Sequence, residues 1–311
     1  MSRFPFPIPF GWFHVAYPDE LVPGTVKPLM YFGQELVAWR NNAGEVVVQD
    51  AYCPHLGAHL GYGGFVDDTC IRCPFHHWAF DPQGACTNIP YSDRLNRKAR
   101  VFTYPVIERN GFVMAWYHPQ REAPSFEIPE LIQYNNDEWT SYEVHDFTID
   151  SVWQEMSENS VDGPHFRYVH RTGEVPTIER YDTDGPFSKM ESKQVYVTPR
   201  GNVVGNINVT AYGPGLQTTL FSGIIDTFLV STTTAITDER SVVRFHFQVR
   251  KSGDEHFTKA VGDAFVKMVC DQIREDMPIW EHKDYLPVPA LADTDGPIMQ
   301  YRKWAAQFYA N

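Results

Sequence analysis

No apolar run in the sequence approaches the ~18 consecutive residues that a membrane-spanning helix needs, because charged or turn residues interrupt every candidate. The opening MSRFPFPIPF holds an arginine but no continuous apolar core, so no secretory signal is expected and a cytoplasmic location is. Positive charge is also scarce, with 26 Lys and Arg against 39 Asp and Glu and a formal net charge of −13. Phosphate binding needs clustered cations, so nucleic acid is excluded as an expected partner. The acidic excess otherwise reads as a solubility feature. Repeats and low-complexity segments are absent. Cysteine is sparse and odd in number, at positions 53, 70, 73, 86 and 270. Without an export signal, that count argues against a disulfide framework and turns attention to metal ligation.

What is present is a chain of 311 residues, long enough for two domains, with 14% aromatic residues to fill their interiors. The first third reads as short strands at Val26–Phe32, Glu35–Arg40 and Glu45–Gln49, then a hairpin of Val101–Glu108 with Phe112–Trp116 across Asn110-Gly111. Between them residues 51–92 are rich in loop formers and carry four of the five cysteines and four of the twelve histidines. A loop this long inside a β-domain that also holds ligand-type residues is a functional segment. The Pro- and charge-rich stretch 118–131, HPQREAPSFEIPEL, marks a boundary, giving domains at 10–120 and 121–311. Beyond it the pattern predicts strands at Ser141–Asp150, Lys193–Thr198, Val203–Tyr212, Gln217–Ser222, Thr227–Thr234 and Ser241–Arg250. A helix follows from about Glu255 to Glu281, with Ala260, Phe265, Val266, Val269, Ile273 and Ile279 as its apolar positions. An antiparallel sheet closed by a long C-terminal helix is an α+β arrangement.

Cys53-Pro-His55 and Cys73-Pro-Phe-His76 are two short loops, each offering a thiolate and an imidazole. Facing each other, they can hold one iron by two Cys and another by two His, the ligand set of a Rieske [2Fe–2S] centre. Structural zinc is the competing reading, but the spacing fits zinc fingers poorly. His77 is a spacing alternative to His76; His59 reads as structural or as a hydrogen-bonding neighbour. Cys70, Cys86 and Cys270 read as buried small hydrophobes.

Downstream, Asn159 to His170 contains Asp162, His165 and His170 in the pattern D-x2-H-x4-H. Two His and a carboxylate make the facial triad of non-haem Fe(II) oxygenases. Residues five apart on a regular helix point about 140° from each other, so both His can face one ion only if the helix is irregular, as Gly163-Pro164 allows. The carboxylate candidates are Asp162, Asp271, Glu275 and Asp276. An upstream redox cluster needs an electron acceptor, which favours the metal reading of the His pair.

CPHLGAHL (53–60), CPFHHWAF (73–80) and NSVDGPHFRYVH (159–170) together resemble the Rieske-type ring-hydroxylating oxygenase α-subunits, over essentially the whole chain. The stretch 275–309 is similar to the 3-ketosteroid 9α-hydroxylase oxygenases, and CPHLGAHLGYGG with IPYSDR to the sterol 7-desaturases, although the chain ends sooner than the hydroxylase pattern. The resemblance implies an N-terminal all-β Rieske domain, a helix-grip catalytic domain and a head-to-tail homotrimer. It implies Asp276 as the third iron ligand with Asp271 as fallback, Asp162 as a bridge between one subunit's cluster and its neighbour's iron, and Asn159 as a polar residue near that iron. It further implies O2 as co-substrate, electrons from an NAD(P)H-dependent reductase or a ferredoxin, and monooxygenation of a hydrophobic, steroid-like substrate by hydroxylation or desaturation. The alternatives are aromatic dihydroxylation or demethylation of a methoxy or N-methyl substrate and, from another class, a non-catalytic Rieske electron carrier.

Overall fold

A computed structural model describes residues 3–198 and 201–310. Met1, Ser2 and Asn311, on which the readings of the two chain ends partly fall, lie outside the described residues. Two compact units are present. One is Trp12–Ser125; the other joins the N-terminal segment up to Gly11 to the chain from Phe126 onward. The boundary expected from sequence left that N-terminal segment outside both domains. Within the second unit, Arg3 donates to the Glu281 carbonyl, Phe6 stacks on Tyr309 at 5.0 Å, and Phe10 N–H donates to the Phe308 carbonyl at 2.8 Å.

The Trp12–Ser125 unit is built from three small sheets. One has β1 (Gly11–Ala16), β11 (Phe112–Tyr117) and β10 (Val106–Arg109) in that order. A second orders β2 (Val26–Tyr31), β3 (Gln34–Arg40), β4 (Val46–Asp50) and β9 (Thr103–Tyr104). The third consists of β5 (Phe65–Asp67), β6 (Cys70–Arg72), β7 (Ala79–Phe80) and β8 (Cys86–Asn88), and falls inside the stretch read as loop. Strands of two or three residues carry too little alternation to show in a sequence pattern. Val37, Trp39, Val47, Leu60, Ile71 and Phe80 form the core beneath the cysteine loops.

The second unit is a seven-stranded antiparallel sheet closed by a long helix. Its strands run β12 (Glu143–Ile149), β18 (Ser241–Val249), β17 (Thr227–Ala235), β16 (Leu216–Phe221), β15 (Gly201–Tyr212), β14 (Phe187–Thr198) and β13 (Thr177–Asp184). β13 was not legible because most of its side chains are exposed and it lacks an alternating apolar face. Between β12 and β13 lie α1 (Trp153–Glu158) and α2 (Gly163–Tyr168), and near the C-terminus α4 (Ile298–Ala305). Helix α3 (Glu255–Trp280) is capped by Asp254, whose carboxylate accepts from Phe257 N–H. Phe265, Val266, Val269 and Ile273 bury one stripe of α3 against Ile207, Phe221, Leu229 and Phe247, each contributing about 1.5–3 kcal/mol. Ala260 and Ile279, expected on that stripe, are exposed, and Trp280 is buried instead. The stripe 265–269–273–276–280 therefore carries one carboxylate, Asp276.

Candidate metal centres

The two cysteine loops share one backbone design. Cys53 N–H donates to the Ala58 carbonyl and Gly57 N–H to the Cys53 carbonyl, both at 2.9 Å. In the second loop Cys73 N–H donates to Trp78 at 2.9 Å and His77 N–H to Cys73 at 3.0 Å. Each loop thus closes over five residues, and the fourth after the cysteine takes positive φ: +77° at Gly57 and +57° at His77. That conformation suits glycine and is uncommon for other residues. Gly64 meets a different demand, since a Cβ there would sit 2.0 Å from the Leu60 carbonyl oxygen.

The loops bring Cys53, Cys73, His55 and His76 together. Both sulfurs are buried, and the two imidazole rings stand 4.8 Å apart at 68°. Trp78 stacks flat on His55 at 4.3 Å and donates its indole N–H to the Tyr91 hydroxyl at 2.8 Å, holding the ring edge-on to its partner. The His77 ring instead packs edge-on against Phe65 at 5.3 Å. Burial pushes the Cys53 thiol up to about 12, the His55 backbone N–H opposes that shift and the adjacent Cys73 sulfur adds to it. Two buried sulfurs side by side cannot both ionise without a cation between them. His76 Nδ1 is buried and has no hydrogen-bond partner. Two thiolates and two imidazoles, one of them with an unpartnered nitrogen, fit a [2Fe–2S] cluster.

Neighbouring candidates are used otherwise. His59 Nδ1 accepts from Gly61 N–H at 2.9 Å, a loop-bracing role. Cys86 and Cys270 are buried, as small hydrophobes are. Cys70 is the exception: it lies half-buried on β6 with its sulfur 3.5 Å from the Thr87 hydroxyl, because β6 is a short strand with one face near solvent.

In the second unit, ligand atoms of His165, His170 and Asp276 all lie within 4.8 Å of one another. The irregularity needed for two His five apart is present. Helix α2 ends at Tyr168, both Val169 N–H (2.8 Å) and His170 N–H (3.4 Å) turn back to the His165 carbonyl, and Arg171 takes positive φ. His170 is thereby rotated off the helical phase and back toward His165, with ring centroids 5.1 Å apart. Asp276 arrives from the buried stripe of α3, its Oδ2 3.3 Å from His170 Nε2. Asp271 lies on the outer face, paired with Lys267 at 2.5 Å and Arg274 at 2.9 Å, and those partners hold its carboxyl below the usual range.

Each imidazole is anchored through Nδ1. His165 Nδ1 donates to the Asp162 carbonyl, and His170 Nδ1 meets Glu275 Oε2 at 3.0 Å. Such partners fix the tautomer and leave Nε2 free for a metal. Sequence reasoning had weighed Glu275 only as a direct ligand; its position one residue before a buried carboxylate was the available signal. Burial lowers His165 further than its acidic neighbours raise it, so it is neutral, the form that ligates. For His170 burial pulls downward too, but hydrogen bonds to Asp276 and Glu275 outweigh it and its pKa is raised. Two imidazoles and a carboxylate converging this closely, with their other atoms tied back, fit a single iron.

Asp162 is not in that group. Its carboxylate caps α2 through His165 N–H at 3.4 Å, and burial raises its pKa against the opposing pull of His165. Asn159 accepts from the Trp280 indole N–H at 3.3 Å and lines a cavity of about 150 Å³ on which His165, His170 and Asp276 open. The remaining wall is mainly apolar, with Met190, Val209, Phe221, Leu229 and Phe245 among its members. A second chamber of about 380 Å³ shares His170 and Gln272 as wall residues.

Residues 11–105 match the Rieske [2Fe-2S] domain and residues 115–309 the 3-ketosteroid 9α-hydroxylase C-terminal domain. A cholesterol 7-desaturase of Xenopus laevis is 30% identical over 97% of this chain and 72% of its own length. The oxygenase component of a 3-ketosteroid-9-alpha-monooxygenase of Rhodococcus rhodochrous is 28% identical over 97% and 81%. Among solved structures, dicamba monooxygenase bound to dicamba superposes with a TM-score of 0.76 at 17% identity, covering 96% of both chains, a likeness of fold. With a Rieske domain followed by that C-terminal domain, the chain belongs to the 3-ketosteroid 9α-hydroxylase family of Rieske oxygenases, oxidoreductases whose cofactors are a [2Fe–2S] cluster and a mononuclear iron.

Proposed function

We propose that this chain is the terminal oxygenase of a Rieske monooxygenase system that hydroxylates or desaturates a hydrophobic, polycyclic, steroid-like substrate. In the hydroxylation, R–H, O2, two electrons and two protons become R–OH and water; the electrons come from NAD(P)H through a separate reductase or ferredoxin. The observation that carries the reading is the mainly apolar cavity opening directly on His165, His170 and Asp276. Together with its neighbouring chamber it falls in the range of roughly 300–1,000 Å³ typical of small-molecule sites.

In this reading Cys53, His55, Cys73 and His76 hold the cluster, and His165, His170 and Asp276 hold the iron. When bound, the cluster supplies one-electron transfer and the iron supplies O2 activation. The chain's own work is to position and to shield. Asp162 and Glu275 orient the two imidazoles through Nδ1, the apolar walls exclude water from the substrate, and Asn159, steadied by Trp280, is a polar side chain beside it. Asp162, capping α2 one turn before His165, is the bridge from a neighbouring subunit's cluster in a homotrimer. Two exposed apolar patches support that assembly: Leu56, Phe75 and Tyr91 around the cluster loops, and Tyr168, Leu286 and Leu291 around a chamber that Asp162 lines. The working compartment on this reading is the cytoplasm, where reduced nicotinamide is available. Among the described residues, no helix is long and apolar enough to cross a membrane.

The test is turnover of the purified protein with a surrogate reductase, NADH and O2 against androst-4-ene-3,17-dione, cholesterol and benzoate, read by mass. A steroid product heavier by one oxygen or lighter by two hydrogens is expected. Product from benzoate alone would contradict the substrate class.

A further inference from the structure

The second chamber holds two polar groups that the account above does not use. Gln194 and Tyr196 stand two residues apart on β14, so both point to the same face of the sheet, about 7 Å apart along the strand. They are 3% and 8% exposed, both line the chamber, and neither Gln194 Oε1 nor the Tyr196 hydroxyl has a hydrogen-bond partner. An unpaired buried polar atom costs stability, so a fold that keeps two in one cavity has a use for them.

Their surroundings are built to keep them there. The Tyr196 ring lies over Gly205, where a Cβ would stand 2.6 Å from its Cε2, and meets Phe265 edge-on at 6.1 Å. Burial raises the Tyr196 pKa, so its hydroxyl remains a neutral donor. The charges at the chamber's rim are already matched, Lys267 with Asp271 at 2.5 Å and Arg171 with Glu275 at 3.8 Å. His170 in its wall is engaged by Glu275 and Asp276. What the chamber offers is an acceptor, Gln194 Oε1, beside a group that both donates and accepts. A ketone oxygen can only accept and would leave Gln194 Oε1 unpaired. An alcohol satisfies both.

The position along β14 gives the geometry of the complex. The inner face of that strand runs from Met190, in the wall of the iron-proximal cavity, through Ser192 to Gln194 and Tyr196. Ser192 is occupied, its hydroxyl donating to the Ile207 carbonyl at 3.1 Å. Four residues of antiparallel strand span ~14 Å, so Gln194 stands one elongated, rigid molecule along the strand from Met190 in the wall of the iron-proximal cavity.

We propose that this chamber is a subsite for a hydroxyl at one end of an otherwise apolar, polycyclic substrate, the hydroxyl donating to Gln194 Oε1 and accepting from the Tyr196 hydroxyl. The inference rests on the steroid-like reading above and narrows it from oxygenated steroids to sterol alcohols. Gln194 and Tyr196 act here as specificity residues.

The test is equilibrium dialysis of the full-length, metal-loaded protein against cyclodextrin-solubilised cholesterol, cholest-4-en-3-one and 5α-cholestane, with Tyr196→Phe and Gln194→Leu alongside the parent. The parent should bind cholesterol about fivefold or more tighter than the ketone. Each variant should lose about five- to tenfold for cholesterol, the size of one neutral hydrogen bond, and stay within about twofold for 5α-cholestane. Retained cholestane binding shows that the variants are folded. Their thermal midpoints should equal or exceed the parent's, because an unpaired buried polar atom has been removed; a merely structural role predicts the opposite sign. Unchanged cholesterol affinity, or equal losses for cholesterol and cholestane, overturns the subsite while leaving the steroid reading standing. So does a parent that binds ketone and alcohol alike. A parent that binds none of the three steroids overturns the steroid reading and the subsite with it.

Discussion

The two metal centres of this chain are made in opposite ways. The proposed cluster ligands fall within 24 residues, Cys53 to His76, on two loops that repeat one hydrogen-bond scheme. The proposed iron ligands come from a short, irregular helix and from a long helix more than 100 residues later, and meet only in the folded second unit. Local order builds the first site and tertiary packing the second. The cluster site should therefore depend on its ligands and loop backbone, the iron site on the hydrogen bonds and helix phase that aim its ligands.

The largest expected effect is at the local site. Cys73→Ser should abolish the visible absorption of the cluster while leaving the iron of the second unit in place, one iron per chain by metal analysis. Loss of both metals together would mean that the sites are not independently built. Next comes Asp162→Asn. Asparagine caps a helix about as well as aspartate, so α2 and both metal contents should be kept, while turnover falls by ~100-fold, about 2.7 kcal/mol in barrier. Normal turnover would remove Asp162 from the bridging role.

How much of this was legible follows the same division. Cys53, His55, Cys73 and His76 can be picked out from spacing as one proposed site because they are local, and the ring contact of His76 rather than His77 with His55 agrees with the C-x2-H count. Val26–Tyr31, Gln34–Arg40 and most strands of the large sheet show in their alternation; β13 does not, having only Ile178 and Tyr181 turned to the core. Asp276 was taken from resemblance, yet the helix itself distinguishes it. It lies seven residues after Val269 and three after Ile273, in phase with the buried stripe, whereas Asp271 falls on the outer face. A carboxylate on the apolar stripe of a helix is a ligand signal that composition alone conceals. The role of Glu275 as partner of His170 Nδ1 had only its position beside a buried carboxylate as a sequence signal, because the contact itself is set by the turn after α2.

Two smaller effects sharpen the contrast. Glu275→Gln keeps a hydrogen bond to His170 but removes the charge, so iron affinity in a chelator competition should weaken by about tenfold, the low end for partners of metal-bound histidines. An unchanged affinity would show that the imidazole is held by packing alone. His77→Gly tests the local site at its backbone. Glycine relieves the positive φ at a cost in chain entropy, so stability should move by no more than about 1 kcal/mol, with the cluster spectrum intact. A bleached protein would make His77, not His76, the ligand.

The central claim is that one chain holds two separate iron sites, one local and one assembled. Iron and acid-labile sulfide counted per chain in the parent and in Asp276→Ala test it most directly. The account predicts three irons and two sulfides in the parent, and two irons, two sulfides and an unchanged cluster spectrum in the variant. Two irons in both proteins would contradict it.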